Sequence, residues 1–114
     1  MQKADYVKAE EEFKKTIAMA KDNNGAEAKY FIGEMQYKSR KYKESIKTLQ
    51  ELAQDFSEFV YWYEKSFLLI TDNYIGMNDY FMAKATLKSV IENSDIPETI
   101  DAAKKKLKDI ENKE

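Results

Sequence analysis

Cysteine and histidine are both missing from this chain of 114 residues. Without cysteine there is no disulfide, no thiolate metal site and no thiol nucleophile. Without histidine the chain lacks the side chain most used for proton transfer near neutral pH, and with it the commonest metal ligand. Three glycines and one proline are too few for an all-β chain, which needs many tight turns. Neither charge sign dominates. The 19 Lys and Arg against 21 Asp and Glu give a net charge of −2, so no overall field draws the molecule to nucleic acid or to an anionic membrane. No apolar run is long enough to span a bilayer, so direct membrane insertion is not expected. The opening MQKADYVKAE has no apolar stretch of the signal-peptide kind, although a longer parent could carry one.

What is present is a modest hydrophobic content, 43%, enough for one small core and spaced for helices. Tyr6, Ala9, Phe13, Ile17 and Ala20 follow steps of three and four, which is one helical face. DNNG (Asp22 to Gly25) reads as its stop, because Asn and Gly tolerate the left-handed backbone that ends helices. A second helix is expected from about Ala26 to Tyr37, followed by the polar turn KSRK. A third runs from about Tyr42 to Asp55, with Ile46, Leu49 and Ala53 on its apolar face. A fourth, from about Glu58 to Ile75, is apolar on several faces, which predicts contacts on more than one side. GMND turns the chain into a fifth helix carrying Tyr80, Ala83, Leu87, Val90 and Ile91, and NSD breaks it. Asp95 with Glu98 three residues on reads as a capping box, with Pro97 in the first turn. The last helix has a single apolar seam of Ile100, Ala103, Leu107 and Ile110.

The chain repeats itself. DYVKAEEEF (Asp5 to Phe13) returns as DYFMAKATL (Asp79 to Leu87), and KYKESIKTL (Lys41 to Leu49) has the same plan. The phrase centres on Tyr6, Tyr42 and Tyr80, which are 36 and 38 residues apart. Three residues after each tyrosine stands a small residue, Ala9, Ser45 or Ala83. Four further on stands a large apolar one, Phe13, Leu49 or Leu87. The small residue lets two helices approach and the large one fills the groove between them. A period of this length points to a helical solenoid.

These residues resemble the tetratricopeptide repeat (TPR) family, whose pattern is W-x2-L-G-x2-Y, then A-x3-F, then P. Phe67, Ile70, Thr71 and Tyr74 match the first-helix half in spacing, as do Ile32 and Gly33 in the middle repeat. Lys29 and Gln36 depart from it where aromatics stand in the family, and the closing Pro is missing from each repeat. The resemblance implies an all-α, right-handed superhelix of antiparallel helix pairs, about six helices in one domain. Its parts are the second helix of a truncated repeat (4–22), repeats at 26–56 and 58–93, and a C-terminal capping helix (96–112). The phrases AEAKYFIGEMQYKSRKYKESI and YWYEKSFLLITDNYIGMNDYFMAKATL look like the C-terminal repeats of large exported bacterial TPR proteins, which implies a cell-envelope parent.

Little in the sequence supports catalysis. Scattered Ser and Thr have no His to activate them, so an enzyme is not expected, and no cofactor or metal site is read. EEE (Glu10 to Glu12) reads as a solvated face. DNNG is too short for a calcium loop. KKK (Lys104 to Lys106) reads as decoration of the last helix near the negative end of its dipole. FSEFVYWY (Phe56 to Tyr63) reads mainly as filler for the long turn between repeats, with a binding anchor as the alternative.

The expected function is therefore a TPR scaffold that binds a peptide or partner protein on its concave face. By the resemblance that face is lined by Glu27, Tyr30, Glu34, Tyr37 and Lys38 in the middle repeat, and by Lys65, Leu68, Asp72 and Ile75 in the last. The alternative is a structural, self-associating terminal segment of a larger scaffold. A binding face leaves Tyr30 and Tyr37 partly exposed; a structural segment buries them. No nucleic acid is expected as partner. The stripe from Tyr6 to Ala20 lacks its own first helix in the expected truncated repeat, so a homodimer through the N-terminal helix is anticipated.

Overall fold

The structure, a computed structural model, describes residues 22–113. They form five helices, α1 (Asn23–Lys38), α2 (Tyr42–Asp55), α3 (Val60–Gly76), α4 (Tyr80–Asn93) and α5 (Pro97–Lys113), and no strand occurs among the described residues. The helix expected at 4–22, and the dimer expected through it, lie outside the described residues. No helix among the described residues is long and apolar enough to cross a membrane.

Successive helices pack on each other in an all-α, solenoid-like stack. The reason is visible in their spacing. On α2, Ile46, Leu49 and Leu52 are buried at steps of three, while Lys43, Glu44, Lys47, Gln50 and Glu51 are exposed. On α5 only Ala103 and Ile110 are fully buried, with Leu107 half-buried between them. One apolar cluster gathers Tyr30, Ile46, Leu49, Leu52, Phe56, Trp62, Leu69 and Ile70 from α1, α2 and α3. The other gathers Ala83, Leu87, Val90, Ala103 and Ile110 from α4 and α5. Phe67 and Tyr74 of α3 pack against both, which is why that helix is apolar on several faces.

Both hairpins turn through the same motif. Arg40 and Asn78, 38 residues apart, have φ of 63° and 60°, in the left-handed region. Arg40 N–H donates to Tyr37 C=O at 2.9 Å and Lys41 N–H to Gln36 C=O at 2.8 Å. Asn78 N–H donates to Ile75 C=O at 2.9 Å and Asp79 N–H to Tyr74 C=O at 2.8 Å. This is the Schellman arrangement, which closes the carbonyls of a helix end and usually places glycine at the left-handed position. Neither turn does so.

The helix crossings use the small residues of the repeat. At Gly33 an added Cβ would lie 2.7 Å from Leu49 Cδ2. The Ser45 hydroxyl donates to Gly33 C=O at 2.7 Å, and Asn73 Nδ2 donates to Ser45 Oγ at 2.9 Å and to Leu69 C=O at 3.0 Å. This buried chain ties α1, α2 and α3 together. Asn73 Oδ1 has no partner; turning the amide over would strand a donor in its place. In the second hairpin Ala83 and Leu87 are fully buried.

Two starts differ from expectation. DNNG opens a helix: α1 begins at Asn23, and the Asp22 carboxylate caps it by accepting from Gly25 N–H at 3.0 Å. The capping box expected at Asp95 and Glu98 is displaced. Ile100 N–H bonds Ile96 C=O, so Ile96 holds the cap position, and the Ser94 hydroxyl accepts from Ile96 N–H at 3.1 Å.

The two layers of the stack differ. α1 meets α3 and α3 meets α5, whereas α2 and α4 do not meet. The stack is thus closed along α1, α3 and α5 and splayed along α2 and α4.

Candidate functional site

The closed layer carries the nine residues expected to line a concave face. Lys38 is exposed, Tyr30 is buried, and Glu27, Glu34, Tyr37, Lys65, Leu68, Asp72 and Ile75 are half-buried. Structure brings part of this set together across α1 and α3. Lys65 Nζ lies 5.0 Å from the centre of the Tyr30 ring. Asp72 acts on both Tyr30 and Tyr37. Glu34 reaches Lys38 one turn on, at 3.7 Å. Leu68 and Ile75 pack against the second apolar cluster, so they join this layer to α4 and α5.

Tyr30 does not behave as a groove wall. It is 6% exposed, with its ring 5.4 Å from that of Trp62. Burial raises its phenol pKa strongly, and the charges of Glu34 and Asp72 and the neighbouring Tyr61 add to the rise. Tyr37 is raised too, by burial first and then by Asp72 and Tyr42. Both phenols are neutral at ordinary pH, with the Asp72 carboxylate acting on each of them.

Three further residues belong to the site. Lys106 of α5 donates to Asp72 Oδ1 at 2.8 Å, so one lysine of the KKK run pairs across the layer. The other two, Lys104 and Lys105, are exposed. Trp62 and Tyr61 come from the aromatic run at the α2–α3 junction. Only two rings of that run fill the turn, Phe56, 1% exposed, and Phe59 against it at 6.2 Å; Tyr61, Trp62 and Tyr63 lie on α3. Tyr61 is 60% exposed. The signal for it is its place one helical turn before Lys65, which puts both on one face.

A hollow of about 140 Å³ lies elsewhere, between α3 and α4. Tyr63, Glu64, Phe67, Val90 and Asn93 line it, and the Ser94 hydroxyl donates to Glu64 Oε1 at 2.7 Å. None of the nine expected residues borders it. Among the described residues no group of three acidic side chains is placed to hold a metal ion. No family model, no curated protein and no solved structure matches this chain.

Proposed function

We propose that the chain is a TPR-like protein-interaction module whose closed layer, α1, α3 and α5, takes up a segment of a partner protein, and that it is not an enzyme. The observation that supports this best is the mixed composition of that layer. Charged and aromatic side chains, Glu34, Tyr37, Lys65 and Asp72, stay half-exposed on helices whose leucines and alanines already fill the core. Such a face offers hydrogen bonds and ring surface to a peptide. The spacing of Gly33, Ser45 and Leu49 at the first crossing is what a TPR-like hairpin requires.

The burial of Tyr30 favours a second reading, a structural segment of a larger scaffold without its own ligand. A peptide-display screen separates the two. Peptides selected by the native chain should lose binding on Tyr37→Ala and Asp72→Ala, and keep it on Lys43→Ala and Glu44→Ala of α2. Selection of no peptide, or of peptides indifferent to the first pair, would leave the structural reading.

A further inference from the structure

We propose that the rings of Tyr30, Tyr61 and Trp62 form a seat for a cationic side chain of a partner protein, and that Lys65 fills this seat in the free chain. The proposal rests on the reading that the closed layer takes up a partner. Lys65 Nζ stands almost equally far from the three ring centres, at 5.0, 5.3 and 5.5 Å, all within the roughly 6 Å over which a ring face attracts a cation. Among the described residues no carboxylate lies within the 4.0 Å salt-bridge distance of it. Among the described residues, the three rings are what holds this ammonium.

The seat is built without help from Lys65. Trp62 Nε1 donates to Asn23 Oδ1 at 3.1 Å, which fixes the indole to the start of α1. Tyr61 meets the indole edge-on at 4.8 Å and 83°, and Tyr30 lies on its other contact at 5.4 Å. Glu34 and Asp72 act on the same ground, and Lys106 already pairs with Asp72. Emptied of Lys65, the seat would keep its rings, with the carboxylates of Glu34 and Asp72 nearby, each paired with a lysine of its own. The occupant is easily exchanged. A bare ammonium is strongly hydrated, and it is held at the end of a stem with four rotatable bonds, whose ordering opposes its own binding. A guanidinium or a methylated ammonium is less hydrated and gains more from ring faces. Tyr61, mostly exposed, leaves the approach open.

The test uses Trp62, the only tryptophan of the chain, as reporter, with choline as the cation and 3,3-dimethyl-1-butanol as its neutral isostere. Fluorescence titration should show choline binding about tenfold tighter to Lys65→Ala than to the native chain, because a seat occupied most of the time weakens a competitor by the fraction left free. Lys65→Gln, which keeps most of the stem and guards against a packing defect, should show the same direction of change. Adding Tyr61→Ala to Lys65→Ala should abolish the gain. Equal choline affinity in the native chain and both Lys65 variants, or equal binding of the neutral isostere, would overturn the proposal. Choline needs only the rings, so a positive result beside a failed peptide screen would remove the partner reading and leave the seat.

Discussion

The two hairpins, α1 with α2 and α3 with α4, share a turn and a spacing but close their crossings differently. In the first, Gly33 leaves a notch that Leu49 enters, and Ser45 and Asn73 run a polar chain through the contact. In the second, the position of Gly33 is held by Thr71, whose hydroxyl folds back onto Phe67 C=O at 3.0 Å, and the position of Ser45 by Ala83. The first cluster is rich in rings, with Tyr30, Phe56 and Trp62; the second is aliphatic. What is kept is a small residue, Ser45 or Ala83, one turn before a buried leucine, Leu49 or Leu87, so one repeat geometry tolerates exchange of chemistry at the other positions.

The largest test of this comparison is Leu49→Ala beside Leu87→Ala. Both side chains are fully buried, and each loss should destabilise by ~2–5 kcal/mol in urea unfolding. Leu49→Ala should be the costlier, since the glycine opposite offers no Cβ to settle against. A cheaper Leu49→Ala would contradict the notch. Next comes the small position. Ala83→Leu should cost ~1–3 kcal/mol by overpacking. Ser45→Ala, which gives the first hairpin the alanine of the second, should cost ~1 kcal/mol for the hydrogen bonds lost. Equal stability of the serine and alanine forms would mean the polar chain contributes nothing net.

The turns sharpen the comparison from the other side. A left-handed Arg is strained by ~1–2 kcal/mol and Gly is not. Arg40→Gly should therefore raise stability by about 0.5–1 kcal/mol after the entropy of glycine is subtracted. Asn78→Gly should do less, because Asn tolerates this backbone. A thermal melt in which Asn78→Gly gained more would break the equivalence of the two turns. The smallest effect belongs to Lys106→Ala. Asp72 and Lys106 are each about 30% exposed, and such pairs contribute ~0.2–1 kcal/mol. The loss should fade in about 1 M salt, where the screening length falls to about 3 Å.

Much of the helix layout was legible because two independent signals coincided. For α2, apolar steps of three and four end where the polar turns begin, and its bounds at Tyr42 and Asp55 are those the pattern predicts. At DNNG the signals did not coincide. Asn and Gly suit both ends of a helix, and only the Asp22 side chain bonded to Gly25 N–H decides for a start. At the head of α5 the pattern slipped by one residue: Ile100 N–H bonds the carbonyl of Ile96 and not that of Asp95, and the Ser94 hydroxyl accepts from Ile96 N–H. The site was less legible. The resemblance places Tyr30 on a lining face, but what covers it, Trp62 and Lys65, comes from more than thirty residues later. Lys106 was hidden for the same reason: its partner is set by how α5 lies on α3, which spacing within α5 does not encode.

The one-sided contact of the layers makes the stack an elastic body with unequal stiffness. Curling it further compresses side chains already touching along α1, α3 and α5. Straightening it brings α2 and α4 into empty space and puts the closed layer under tension. Beside the buried Tyr30–Trp62 contact, the Trp62–Asn23 hydrogen bond and the Ser45–Asn73 chain, that tension falls on two more exposed ties: Lys65 on Tyr30 between α1 and α3, and Lys106 on Asp72 between α3 and α5. Each is worth on the order of 1 kcal/mol, against several for a buried leucine of a hairpin. Under a pull along the stack these two ties yield before the buried contacts that join α3 to α1 and α2.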